Sequence, residues 1–342
     1  MTTAAEWRAQ GRLPEGLIYP DLAHSGMVET LVQNTDAFNA ASQNTIRLIT
    51  NRRMGDFSQE SFFNNIDGLI RRRGTNTSPN NPNVTPKDLP ANELVTVKVN
   101  RGIGPVDKTL DAFKKLGDDA SLEELSFTLG QMIAKAVQVD QLEAGLNSVA
   151  NALMNQSDLS INVDTAGSPA GSNLDTDLLV RTLAKMGDAA SRVRMWVMHS
   201  KPFFDLVRSQ ITDNIDGVSN FAVANASAVT LNRPVLVTDS AALQVGASPT
   251  PTGYITLGLV ENGVTLEDSE ESSMIDDVIT GKDNIVIRLQ GEFAYNIGLK
   301  GLAWDVTNGG INPTDALLGT GSNWDSVMTS FKDLPGVAIR TR

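Results

Sequence analysis

The chain's 342 residues are enough for two domains or one elaborate one, and its 41% hydrophobic and 20% charged shares are those of a folded protein, not a disordered one. With no cysteine and only two histidines, His24 and His199, it excludes disulfides, thiolate catalysis, cysteine-ligated zinc and a His-rich metal site. A net charge of −12 opposes a broad phosphate-gripping face, but leaves room for a protein that encloses nucleic acid without holding it.

Residues 1–48 begin without the apolar core of a signal peptide, and no later run approaches the ~20 apolar residues of a membrane span, so a soluble, cytoplasmic protein is expected. This segment reads as an arm: Gly11, Pro14, Gly16, Pro20 and Gly26 punctuate it before a modest helical pattern with Val28, Leu31, Val32 and Phe38. It is too short to build a core, so its apolar residues are expected to lie on the rest of the fold or on another subunit. In residues 49–107, Arg52, Arg53, Arg71, Arg72 and Arg73 bracket DFSQESFFNNIDGLI. The Asn-, Pro-, Thr- and Ser-rich GTNTSPNNPNVTPKDLPAN follows as a loop. ELVTVKVN then alternates, with Val95, Val97 and Val99 on one face. Together these make a two-stranded excursion with a polar tip, which needs a surface to lie on. Gly102-Ile-Gly104-Pro105 is too short for a dinucleotide fingerprint and reads as a bend.

Ser121–Gln156 is the longest periodic stretch. Leu122, Leu125, Leu129, Met132, Ala136, Val139, Leu142, Leu146, Val149 and Leu153 recur at steps of three and four, predicting one apolar face on a helix. Such a helix runs about 50 Å. Ser121 and Glu124 have capping-box spacing. Gly130 and Gly145 each cost about 1 kcal/mol relative to alanine, and are candidate hinges.

After the linker SDLSINVDTAGSPAGSN, Asn173 or Ser172 caps a predicted helix over Leu174–Ala190, with Leu174, Leu178, Leu179, Leu183 and Met186 inward. RMWVMHS predicts a buried strand, KPFFDLVRSQI a helix, and LNRPVLVTDS and GYITLGLVENGVTL further strands, so residues 174–268 form a compact mixed domain. DNIVIRLQGEFAYNIGLKGLAWDV places Ile285, Ile287, Leu289, Phe293 and Tyr295 on one face of what should be the longest strand, paired with ELVTVKVN or packed on the long helix.

No reactive constellation emerges. Asp164-Thr-Ala-Gly167 matches a GTPase switch, but no phosphate loop accompanies it, and Gly281-Lys282 lacks the upstream glycine and the following hydroxyl. His199-Ser200 are neighbours whose side chains on a strand point to opposite faces, and Ser168 is misplaced for a nucleophile elbow. No catalytic residue, cofactor or metal is expected. Between Glu261 and Asp277 stand Glu261, Glu267, Asp268, Glu270, Glu271, Asp276 and Asp277, without Lys or Arg. The spacing fits no calcium loop. It is either a solvated loop or a surface facing the Arg52/Arg53/Arg71/Arg72/Arg73 group of a neighbouring subunit, a head-to-tail contact of the kind that closes rings and shells. Glu267, Asp268, Glu270 and Glu271 are its nominated acids.

The order of parts resembles the major capsid proteins of tailed bacteriophages with the Hong-Kong-97 fold. The local likeness lies in Trp196-Val-Met-His199-Ser200-Lys-Pro-Phe-Phe-Asp-Leu, Asn232-Arg-Pro234-Val-Leu-Val-Thr-Asp239, Gly258-Leu-Val-Glu-Asn-Gly263-Val and Gly291-Glu-Phe-Ala-Tyr-Asn-Ile-Gly298-Leu-Lys-Gly301-Leu-Ala-Trp304. The resemblance implies an α+β fold with an N-terminal arm (1–48), an extended E-loop hairpin (49–107), a peripheral (P) domain with the spine helix (108–157), an axial (A) domain (158–269) and a P-domain return strand with C-terminal segment (270–342). It further implies hexamers and pentamers that assemble in the host bacterial cytoplasm and close an icosahedral virion shell. That shell encloses double-stranded DNA without specific binding and expands on maturation. Portal, scaffolding and decoration proteins are the implied partners, with no membrane involved. Lacking a long helical N-terminal extension, the chain is expected to use a separate scaffold unless a propeptide is removed. The competing readings are an encapsulin-like bacterial nanocompartment shell and a soluble enzyme or binding protein with an interdomain cleft.

Overall fold

The computed structural model describes residues 20–49, 55–64, 66, 68–72, 84–109, 119–164, 173–216, 230–246, 251–269, 272–281 and 283–342, with the side chains of 108, 119–125 and 210–216 left aside. The spine is a 37-residue helix, Asp119–Asn155 (α2), close to the expected span. It starts before Ser121, so that residue lies inside the helix and does not cap it.

Leu146, Val149 and Leu153 of α2 are buried as expected, but in the middle of the helix the inward face is not the expected one. Met132 and Val139 are 62% and 55% exposed and Ala136 also faces out, whereas Ser126, Gly130, Ile133, Ala134, Val137 and Gln141 are buried. The cause is a second helix, Pro20–Ala41 (α1), packed on this stripe. Small residues let the two backbones approach: a Cβ on Gly130 would lie 2.1 Å from the Ala23 carbonyl oxygen, and one on Gly26 2.7 Å from that of Phe127. Ala23 and Met27 are thereby buried, and Asn34 donates to Gln138. Apolar residues of the expected arm thus lie on the subunit's own body. From about Gln141 onward α2 is buried nearly all round.

Two sheets carry the rest. The larger contains Ile46–Ile49 (β1), Phe57–Phe63 (β2), Ala91–Thr109 (β3), Val264–Asp268 (β9), Ser273–Ile279 (β10), Val286–Leu299 (β11), Leu302–Trp304 (β12) and Trp324–Ser326 (β13). Strand β11 is its axis. Along one edge it pairs with β3 (Val286↔Thr109 to Ile297↔Val97), and along the other with β10 and then β9. The expected pairing with ELVTVKVN is present, but β3 is the longer strand, at 19 residues against 14. It continues through Gly102–Pro105, where a bend was expected, and the irregularity is a register shift opposite Leu289/Gly291. The expected hairpin is also present: β2 pairs with β3 from Phe57↔Val97 to Phe63↔Ala91.

The second sheet holds Ser160–Asn162 (β4), Val193–Met198 (β5), Val235–Val237 (β6), Gln244–Val245 (β7), Gly253–Val260 (β8) and Gly336–Thr341 (β14). Thr176–Lys185 (α3) and Ser200–Asp216 (α4) accompany it. The expected inward residues of α3 are buried, but its cap is Asp175, whose side chain accepts from the Leu178 amide at 2.8 Å. Gly187, at φ 56°, ends this helical stretch before Ala190, and a tighter 3-10 segment takes over through Arg192. Strands β8 and β9 belong to different sheets although only Glu261–Gly263 separate them, with Asn262 left-handed at φ 54°. The chain therefore changes sheet well before residue 269, and β14 returns the C-terminal segment to the middle of the second sheet. One apolar core runs through both sheets, and a second lies under α1, where Met27, Ile133, Ala134 and Val137 meet Ile103, Ile287 and Leu289.

Candidate functional site

The reactive-looking residues are structurally engaged. Asp164 pairs with Arg340 of β14 at 2.6 Å, fastening the second sheet, while the remainder of the switch-like motif lies outside the described residues. So does Lys282. His199 is 8% exposed. Its Nδ1 receives the Lys201 amide (3.3 Å), its Nε2 meets the Gln244 side chain (3.0 Å), and its ring lies 4.8 Å from that of Tyr254. The two side chains of His199-Ser200 do approach, Oγ to Nδ1 at 3.4 Å, because the chain turns from strand into helix at Ser200. The Ser200 hydroxyl also serves Asp239, whose pKa that hydrogen bond lowers. The pattern is a strand end held in place by mutual hydrogen bonds. Among the described residues no group of three His, Asp or Glu could hold a metal ion, and no helix is long and apolar enough to cross a membrane.

What the molecule does present is surface. The loop beyond β2 exposes Leu69 (66%) and Ile70 (96%), followed directly by exposed Arg71 and Arg72. Arg52, Arg53 and Arg73 lie outside the described residues, as do Glu270 and Glu271. Glu267 and Asp268 are half-buried inside the larger sheet, where β9 lies against β11, with Glu267 also opposite Ile49 of β1. Asp268 accepts from Gln141 of α2 at 3.4 Å. The acid-rich run is therefore mostly strand rather than loop.

Its outer part, β10, forms an open groove of about 430 Å³ with β11. Met274 and Val278 turn toward α1 and the second core, while Ile275, Asp277 and Ile279 line the groove with Arg288 and Glu292. Burial alternates along β10, but SMIDDVI pairs its apolar and acidic residues in doublets, so the sequence carries no apolar–polar alternation that marks this face. Arg288 and Asp107 of β3 make a two-pronged pair at 2.6 and 2.7 Å, which raises the Arg288 pKa.

Between the two surfaces a polar knot ties hairpin, spine and C-terminal segment together. Arg101 of β3 bonds Asp140 of α2 at 3.0 Å and pairs with Asp315, and the Tyr295 hydroxyl donates to the same Asp140 oxygen at 2.9 Å. Burial, then the Asp140 charge, pushes the Tyr295 pKa up. Burial opposes the Arg101 charge, but hydrogen bonds to Asp315 and Tyr295 raise its pKa overall. Gly130 and Gly145, the candidate hinges, both sit at close contacts, Gly145 against Val264 and Leu266.

The chain is similar in structure to several phage capsid proteins, at low identity. It matches the capsid of Myoviridae phage XM1 with a TM-score of 0.48 and 14% identity over 88% of this chain and 90% of that one. For cyanophage Pam1 the values are 0.46 and 13% over 74% and 84%, and for Ralstonia phage GP4 0.45 and 11% over 87% of both. A search of curated proteins finds none that matches this sequence. Residues 17–338 match the family described as Gp13-like, major capsid protein 13-like. The protein belongs to the Gp13-like major capsid protein family.

Proposed function

We propose that this major capsid protein forms hexamers and pentamers that close an icosahedral, Hong-Kong-97-type head around double-stranded DNA and expand on maturation. The observation that carries this reading is the family match across residues 17–338. Assembly takes place in the host cytoplasm with a portal and a separate scaffold, and the protein has no enzymatic role of its own. The net charge of −12 suits a wall that confines DNA without adhering to it. The basic group at the hairpin (Arg52, Arg53, Arg71, Arg72, Arg73) meets acids of the next subunit, from Glu267 through Glu271 and the strand beyond, and many such weak contacts act together. Gly130 and Gly145 lie where the spine meets α1 and β9, the contacts that a bending spine must adjust. In domain terms the hairpin is the E-loop, α2 and the larger sheet form the P domain, and the second sheet forms the A domain.

Electron microscopy of particles purified from expressing cells tests this. Closed shells that package DNA when portal and packaging enzymes are present support it. Shells that enclose a cellular enzyme would instead identify a nanocompartment, and a species that stays monomeric and shifts its Tm with a small ligand would replace the shell reading altogether.

A further inference from the structure

The two halves of the β2–β3 hairpin are held in different ways. Its near half is anchored in the larger core, where Val95 and Val97 of β3 are buried and Phe57 of β2 packs against the same cluster. Beyond them, from Ser58 to Asn64 and from Ala91 to Leu94, no residue is buried, and Phe63 is 69% exposed. At ~3.3 Å per residue this far half reaches about 13 Å past Val95. A two-stranded ribbon without an apolar face is marginal in water, so something else must fix its direction.

Two side chains at its mouth do so. Asn64, just past β2, and Asn92 of β3 each donate a carboxamide N–H to the Val327 carbonyl oxygen, both at 2.9 Å. The Asn64 amide also donates to the Pro90 carbonyl, so one carboxamide from each limb converges on a single oxygen where the loop leaves the sheet. The two lone pairs of that oxygen take both donors. The acceptor is itself fixed. The Val327 amide donates to the Gly301 carbonyl at 3.2 Å, its side chain packs on the larger core, and Met328 lies against Gly301. Gly301 is left-handed, at φ 72°, in the turn between β11 and β12. The mouth of the hairpin is thus fastened to the end of the strand that forms the axis of its own sheet. A neutral hydrogen bond of this kind shifts an equilibrium by on the order of fivefold. Two together favour one direction by about 25-fold, yet can open without unfolding the core.

We propose that Asn64, Asn92 and the Val327 carbonyl form a latch within one copy of the chain. Closed, it holds the far half of the hairpin against the C-terminal segment. Open, it releases that half, with the loop between Asn64 and Pro90, to swing about the buried Val95–Val97 root. The C-terminal segment therefore sets the direction in which the hairpin points. The latch is a property of the single chain and stands apart from the shell reading above.

Hydrogen exchange read by mass spectrometry on the purified full-length chain tests it. A ribbon released from the body frays, so in Asn64→Ala/Asn92→Ala the amides of Ser58–Asn64 and Ala91–Leu94 should exchange about tenfold faster or more. Those of Val95–Val99, in the root, should be unchanged. Asn64→Asp/Asn92→Asp is an isosteric second variant. At neutral pH its carboxylates cannot donate, so it should open the latch as the alanines do, whereas a role in packing alone would leave exchange as it was. Gln59→Ala, at an exposed position of β2, is the control and should change nothing. Far-half exchange in both double variants that matches the natural protein overturns the latch. Faster exchange that runs equally through Val95–Val99 also overturns it, because the hairpin would then be melting from its root rather than swinging on it.

Discussion

Replacing Gly130 by alanine separates packing from flexibility in the spine. In an open helix the change would stabilise by about 1 kcal/mol. Here the new methyl lies 2.1 Å from the Ala23 carbonyl oxygen, 2.9 Å from its carbon and 3.0 Å from the Met27 amide nitrogen. All three are backbone atoms, so no side-chain rotation relieves the clash and α1 must move off α2 by more than an ångström. Overpacking of this kind costs about 1–3 kcal/mol, and the shift also loosens Ala23, Met27, Ile133 and Ala134, all buried at the same contact. The net expectation is a loss of about 1–2 kcal/mol, a fall in Tm of about 1–3 °C for a chain of this size. Gly145→Ala is the control. Its methyl meets Val264 and Leu266 side-chain carbons at 3.3 and 3.4 Å, which can yield, so Tm should hold or rise slightly. Differential scanning calorimetry of matched capsomers reads both. If Gly130→Ala is as stable as the natural protein or more so, the close-packing account of α1 on α2 is wrong.

Other consequences are equally concrete. Tyr295 has its pKa raised in the fold, so it contributes stability that is complete below its ordinary value of about 10 and is lost as pH rises beyond it. Tyr295→Phe should therefore lower stability near neutrality by about 1 kcal/mol, through the hydrogen bond lost to Asp140, which Arg101 still pairs, and flatten the decline between pH 9.5 and 11. Urea midpoints across that range check it, and an unchanged alkaline slope would count against a Tyr295 hydroxyl buried beside Asp140. Asp175→Ala should cost about 1 kcal/mol by uncapping α3, whereas Asn173→Ala should cost a few tenths; equal effects on urea midpoints would move the cap back to Asn173.

Much of this fold was legible in the sequence because its signals are local. Alternation in ELVTVKVN announced β3, turn chemistry announced the hairpin loop, and sustained helical periodicity announced α2. What escaped were relations between elements. The most apolar stripe of α2 was assumed to face inward, yet Met132, Ala136 and Val139 face out, because Gly130 and Ala134 allow the closer approach of α1. Hydrophobicity marks a side chain's preference, and close backbone approach can outweigh it. The change of sheet at residues 261–263 was invisible for a different reason: β8 and β9 are both buried strands, and nothing in either states which neighbour it hydrogen-bonds. As for the candidate surfaces, the exposed arginines could be found by their charge, but the groove required knowing that β10 sends Met274 and Val278 under α1 and leaves Ile275 and Asp277 outside.

The central claim is that this subunit is built to close head-to-tail on copies of itself. Native mass spectrometry of the purified, full-length chain tests it most directly. The account predicts five- and sixfold multiples of the 36.6-kDa chain, growing into closed shells as concentration rises. A single 36.6-kDa species at every concentration, with or without scaffold, would contradict it.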